Sequence, residues 1–152
     1  MPVELTARAP GKGDFPRILS LYRVGIVPTW DQVGRDYDFE VIEKNLERNL
    51  YNPLYHFRVY ETHEGALVGY LAWDQYPDHT SKNVVAHLSM LLVNPDFQRG
   101  GVARRMVQYF ELHARKEGCT KVLFDVVVGS PALAFYTALG YTHWSNYMER
   151  RL

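Results

Sequence analysis

The chain has 152 residues, 47% hydrophobic and 22% charged, with 17 lysines and arginines balancing 17 aspartates and glutamates. That is the size of a single domain, 1–152, with enough apolar material for a core and no global field to draw nucleic acid or an anionic membrane. The lone Cys119 cannot close an internal disulfide, no Cys/His spacing suits zinc, and neither a signal-like leader nor a bilayer-length apolar run is present, so a cytoplasmic protein without a metal is expected.

Alternation predicts a short strand over residues 3–8. Asp14 suits the cap of a following helix with Pro16 in its first turn, and Phe15, Ile18, Leu19 and Tyr22 on one face. A second helix is expected over residues 38–50, striped by Phe39, Ile42, Leu46 and Leu50. Residues 55–62 and 66–74 read as a hairpin around His63-Glu64-Gly65. A strand over 84–93 follows, and its run Leu88 to Val93 is nearly all apolar, as in a strand covered on both faces.

The strongest helical pattern occupies 101–117. Val102, Met106, Val107, Phe110 and Ala114 line one side, with Arg105, Gln108, Glu111 and Arg115 opposite and Gly118 at the end. A strand over 122–128, a short helix over 131–139 and a last strand over 141–148 complete the order βααβββαβαβ. Strand, helix and strand in succession demand a parallel crossover, whereas the hairpin demands antiparallel pairing. The expected class is α+β (mixed α/β), a mixed sheet flanked by helices on both faces.

Gln98-Arg99-Gly100-Gly101-Val102-Ala103 joins the buried strand to the best helix. Glycines let backbone N–H groups come close to a ligand, and a helix start adds open donors and partial positive charge, which suits phosphate or pyrophosphate. Arg99, Arg104 and Arg105 add local charge. The glycine pair alone is read equally well as a tight turn. No Gly-Lys-Ser/Thr follows, and after Gly101 the next glycine is Gly118, so neither a Walker loop nor a dinucleotide fingerprint is present.

The string from Leu91 to Ala103, with its Val93-Asn94-Pro95 strand end and Gln98-Arg99-Gly100-Gly101 turn, resembles the acetyl-CoA-binding segment of the GNAT superfamily of N-acyltransferases. Ala132 to Tyr141, with Tyr136 and Gly140 at matching places, is similar to that family's later motif, so the close resemblance spans about residues 84–148. It implies a GNAT-like fold and an acetyl-CoA-dependent N-acetyltransferase that acts by direct attack of a primary amine in a ternary complex. The acceptor would be a small-molecule or peptide amine. The implied cofactor site runs through Gln98, Arg99, Gly100, Gly101, Val102, Ala103 and Arg104 at the pyrophosphate, and Leu91, Leu92 and Val93 beside the pantetheine arm. Gly129 stands where relatives often carry asparagine, leaving only main-chain groups there.

By the same resemblance Tyr136 would be the acid toward the departing thiolate, the alternative being a core aromatic. His87 occupies the place of a glutamate that many relatives carry and is the candidate base, the alternative being a hydrogen-bonded core histidine. Asp125 is a second candidate base that also reads as structural. The aromatics between Trp30 and Tyr76 fall where relatives build an acceptor pocket, and most are expected to fill the core. Cys119 reads as a small buried residue and not as a nucleophile. Apolar surface around Trp144 and Tyr147 would suit a homodimer edge. The rival function is a catalytically weak acyl-CoA-binding or regulatory module.

Overall fold

One five-stranded sheet runs in sequence order, with β1 (Leu5–Arg8), β2 (Tyr55–Thr62), β3 (Leu67–Pro77) and β4 (Val84–Val93) antiparallel and β5 (Lys121–Leu123) parallel to β4. This computed structural model describes residues 4–152, so Val3 of the expected first strand lies outside the described residues. Helices α1 (Phe15–Gly25), α2 (Val27–Val33) and α3 (Phe39–Asn49) precede the hairpin, α4 (Val102–Lys116) makes the parallel crossover, and α5 (Ala132–Ala138) follows β5.

The strand period of two sends alternate residues to opposite sides, and both sides are covered. On one, Tyr60, Leu71, Trp73, Ala86 and Leu88 pack against Val102, Met106, Val107, Phe110 and Ala114 of α4 and Tyr136 of α5. On the other, Phe57, Val59, Tyr70, Ala72 and Leu92 pack against Phe15, Ile18 and Tyr22 of α1, Trp30 of α2 and Leu46 of α3. The α4 stripe is thus the one expected from its spacing. The mixed sheet with helices on both faces is as the sequence predicts.

Three local expectations are corrected. Asp14 occupies the cap position of α1, but its side chain makes no cap bond; it accepts instead from Arg8 and from the Gly11 N–H. An additional helix, α2, stands between the two expected ones; Pro28 in its first turn, the buried Trp30 and left-handed Gly34 at its end were its signals. The strand expected over 122–128 stops at Leu123, and residues 141–148 form no strand. A strand persists only where a neighbour takes its hydrogen bonds. Trp144, Tyr147 and Met148 are left 77%, 84% and 95% exposed, so no buried face drives pairing of the tail.

Candidate functional site

β4 is bonded differently on its two edges. Toward β3 its pairing continues to Val93, interrupted where Trp73 faces Leu88 and Ala72 faces Met90, so Ser89 is an extra residue. Ser89 Oγ donates to the Ala72 carbonyl oxygen across this bulge at 3.1 Å. The extra residue resets the alternation: Leu88, Leu91 and Val93 face α4, and Met90 and Leu92 face α1. Toward β5, pairing stops at His87↔Leu123. Among the described residues no strand pairs with that edge of Leu88 to Val93, including Leu91, Leu92 and Val93.

Beyond β4, Pro95–Phe97 makes one tight helical turn, and residues 98–101 lead exposed into α4. Arg99 has φ 69° and Gly101 φ 75°; Arg99 is the one non-glycine with positive φ among the described residues. Gly101 caps α4 and has no side chain to offer the first-turn N–H groups. Left-handed residues and open donors at the start of a 15-residue helix fit a diphosphate. Arg104 is exposed on that turn, whereas Val102 is buried in the core, so any part it takes is through its backbone.

On the α1–α3 side of the sheet lies a cavity of about 380 Å³. Tyr22 of α1, Leu46 of α3, Phe57 of β2, Tyr70 and Asp74 of β3 and His87 of β4 are among its walls. Asp74 and His87 are direct cross-strand partners, with Nδ1 2.9 Å from the Asp74 Oδ1. A carboxylate can only accept, so the Nδ1–H donates and the lone pair sits at Nε2. The Asp74 hydrogen bond raises the His87 pKa above its usual 6.5, against the lowering effect of burial. Asp74 is the site residue that the sequence reading missed; a carboxylate near the end of a strand, flanked by aromatics, was its faint signal.

The remaining candidates disperse. Tyr136 sits on the opposite side of the sheet from the cavity, its ring 4.3 Å from that of Phe124 and 5.0 Å from that of Phe135, and burial pushes its phenol up to about 12. The structure therefore does not bring His87 and Tyr136 into one cavity. Asp125 lies beyond the end of β5 and is exposed, so the expected burial of this carboxylate inside a strand is not found. Gly129, at φ 86°, is exposed before α5. Cys119 is buried at the end of α4, and its thiol is raised by that burial, the opposite of nucleophile activation.

Comparison with known proteins places residues 18–141 in a match to the model of the acetyltransferase (GNAT) family. Among solved structures, an acetyltransferase from Trypanosoma brucei is similar over 98% of this chain and 100% of its own, at 21% identity and a TM-score of 0.73. An aminoglycoside antibiotic 6'-N-acetyltransferase from Acinetobacter baumannii is similar over 98% and 99%, at 17% identity and a TM-score of 0.77. A glucosamine-6-phosphate N-acetyltransferase from Arabidopsis thaliana is similar over 97% and 98%, at 18% identity and a TM-score of 0.65. No curated protein sequence matches. At such identities the likeness to these structures is one of fold.

Proposed function

Because the chain belongs to the acetyltransferase (GNAT) family, we propose that it is an N-acetyltransferase that joins an acetyl group from acetyl-CoA to a primary amine. One arrangement carries this reading: a strand edge without a partner among the described residues runs into a helix start capped by a glycine, while His87 of the same strand lines an aromatic cavity. The backbone N–H groups from Gln98 to Arg104 hold the diphosphate. The amide-bearing arm lies along Leu91, Leu92 and Val93 in place of the missing strand, and Gly129 contributes only main-chain groups. That two of the similar structures are of amine acetyltransferases supports an amine as acceptor.

Bound acetyl-CoA supplies the activated acetyl group. The amine, with an ordinary pKa of about 10.4, arrives as an ammonium and must lose a proton before it can attack. His87 takes that proton at Nε2, since Asp74 holds Nδ1–H, and the second proton, released from the attacking nitrogen as the amide forms, would go to the departing thiolate, which leaves as the thiol. Tyr136, on the other side of the sheet, would meet the leaving sulfur only where the thioester lies in the opening beyond the last β4–β5 pair, His87 and Leu123. With its pKa near 12 the phenol keeps its proton and serves as a hydrogen-bond donor, because a thiolate of pKa about 8.5 is too weak a base to remove it.

The test is thiol release from acetyl-CoA with a panel of primary amines, with CoA binding measured in parallel. Amine-dependent release is expected. Tight CoA binding without amine-dependent release for any acceptor would replace the enzyme by an acyl-CoA-binding module, and failure to bind CoA would remove both.

A further inference from the structure

The walls of the cavity narrow the choice of acceptor. Resting on the acetyl-transfer reading above, we infer that the acceptor is a small primary monoamine on an apolar or aryl body that carries no carboxylate or phosphate.

Aromatic rings run in a row along the cavity: Tyr55 to Phe57 at 6.2 Å, Phe57 to Tyr70 at 6.3 Å and Tyr70 to Tyr22 at 6.1 Å between centroids. Ring faces attract an ammonium and cover an apolar body. Asp74 and His87 are the carboxyl and imidazole groups of this wall, and among the described residues no lysine or arginine lines it. An acidic substituent on the acceptor would be desolvated beside Asp74 without a counter-ion, which is costly. A polyamine or aminosugar polycation would find a single carboxylate, already engaged by His87.

Size acts in the same direction, since about 380 Å³ is near the lower end for ligand pockets. Tyr22 and Tyr70, 6% and 1% exposed, bring neutral hydroxyl-bearing rings to this wall. They offer neutral partners, so a hydroxyl on the acceptor body is accommodated where an ionised group is not.

The test compares kcat/KM for 2-phenylethylamine, hexylamine, phenylalanine, spermidine and glucosamine 6-phosphate, together with calorimetric binding of each to the protein with and without CoA. The expectation is that 2-phenylethylamine and hexylamine are preferred by at least roughly tenfold, and that 2-phenylethylamine binds. Equal or better turnover of phenylalanine, spermidine or glucosamine 6-phosphate would overturn the inference while acetyl transfer stands. CoA binding with neither apolar amine bound nor acetylated would also overturn it. Binding of 2-phenylethylamine with no acetylation of any amine would instead support the cavity's selectivity and remove the acetyl-transfer reading.

Discussion

His87 and Asp74 face each other across β4 and β3, joined Nδ1 to Oδ1 at 2.9 Å with the ring left half-exposed to the cavity. The carboxylate does two things: it selects the tautomer with a free Nε2, and it makes the ring a stronger base than an unassisted histidine.

Asp74→Asn should therefore lower activity by roughly tenfold or more and move the acid limb of the kcat/KM profile to lower pH, because the ring loses the partner that raised its pKa. The stability sign is opposite to that of a carboxylate pair. A raised histidine contributes fully below its unfolded value of about 6.5 and loses that contribution as pH rises through the folded value. Denaturant unfolding should show a larger deficit for the variant near pH 5.5 than near pH 8.5. An unmoved acid limb would count against His87 as the base.

Tyr136→Phe removes a hydroxyl and keeps the ring against Phe124 and Phe135. Thermal unfolding should change little, while thiol release should fall by about 100-fold, the scale of losing one aligned donor at a developing anion. Unchanged kcat would return Tyr136 to a purely packing role.

Gly101 and Gly118 take positive φ, 75° and 82°, at opposite ends of α4, and an added Cβ meets nothing within 4 Å at either. Each change to alanine should thus cost roughly 1–2 kcal/mol from backbone conformation alone. Only Gly101→Ala should also weaken CoA binding in a titration, because only that glycine shapes the open helix start.

Gly69 lies where β3 passes beneath α4. A Cβ there would stand 2.8 Å from Met106 Sδ and 3.0 Å from the Leu92 carbonyl oxygen. Gly69→Ala should destabilise by about 1–3 kcal/mol. A double-mutant cycle with Met106→Ala should reveal coupling, since truncating the methionine makes room for the methyl.

Asp14 accepts two hydrogen bonds from Arg8, each at 2.8 Å, while Arg8 also reaches Glu61, tying β1, β2 and the start of α1 together. Those bonds from Arg8 hold the Asp14 carboxyl at about 2, below its usual 3.8. Its contribution is present above the unfolded value and is lost as pH falls through the folded one. Asp14→Asn should cost roughly 2 kcal/mol at pH 7 in urea unfolding, a difference that shrinks below the unfolded value and is lost as pH falls through about 2.

The stripe of α4, the hairpin of β2 and β3, and the turn from Gln98 to Gly101 were legible because each depends on residues within a few positions of one another. So was the doubly covered run from Leu88 to Val93. The pairing of Asp74 with His87 was not, because it follows from the register in which Pro77 meets Val84, and that register comes from folding of the turn between them. The end of β5 at Leu123 and the unstranded tail likewise depended on whether a neighbour was in place. Local pattern settles what a segment prefers to be; only tertiary structure settles which backbone edge stays open and which distant side chain completes a base, because hydrogen bonds across a sheet join residues that sequence spacing does not relate.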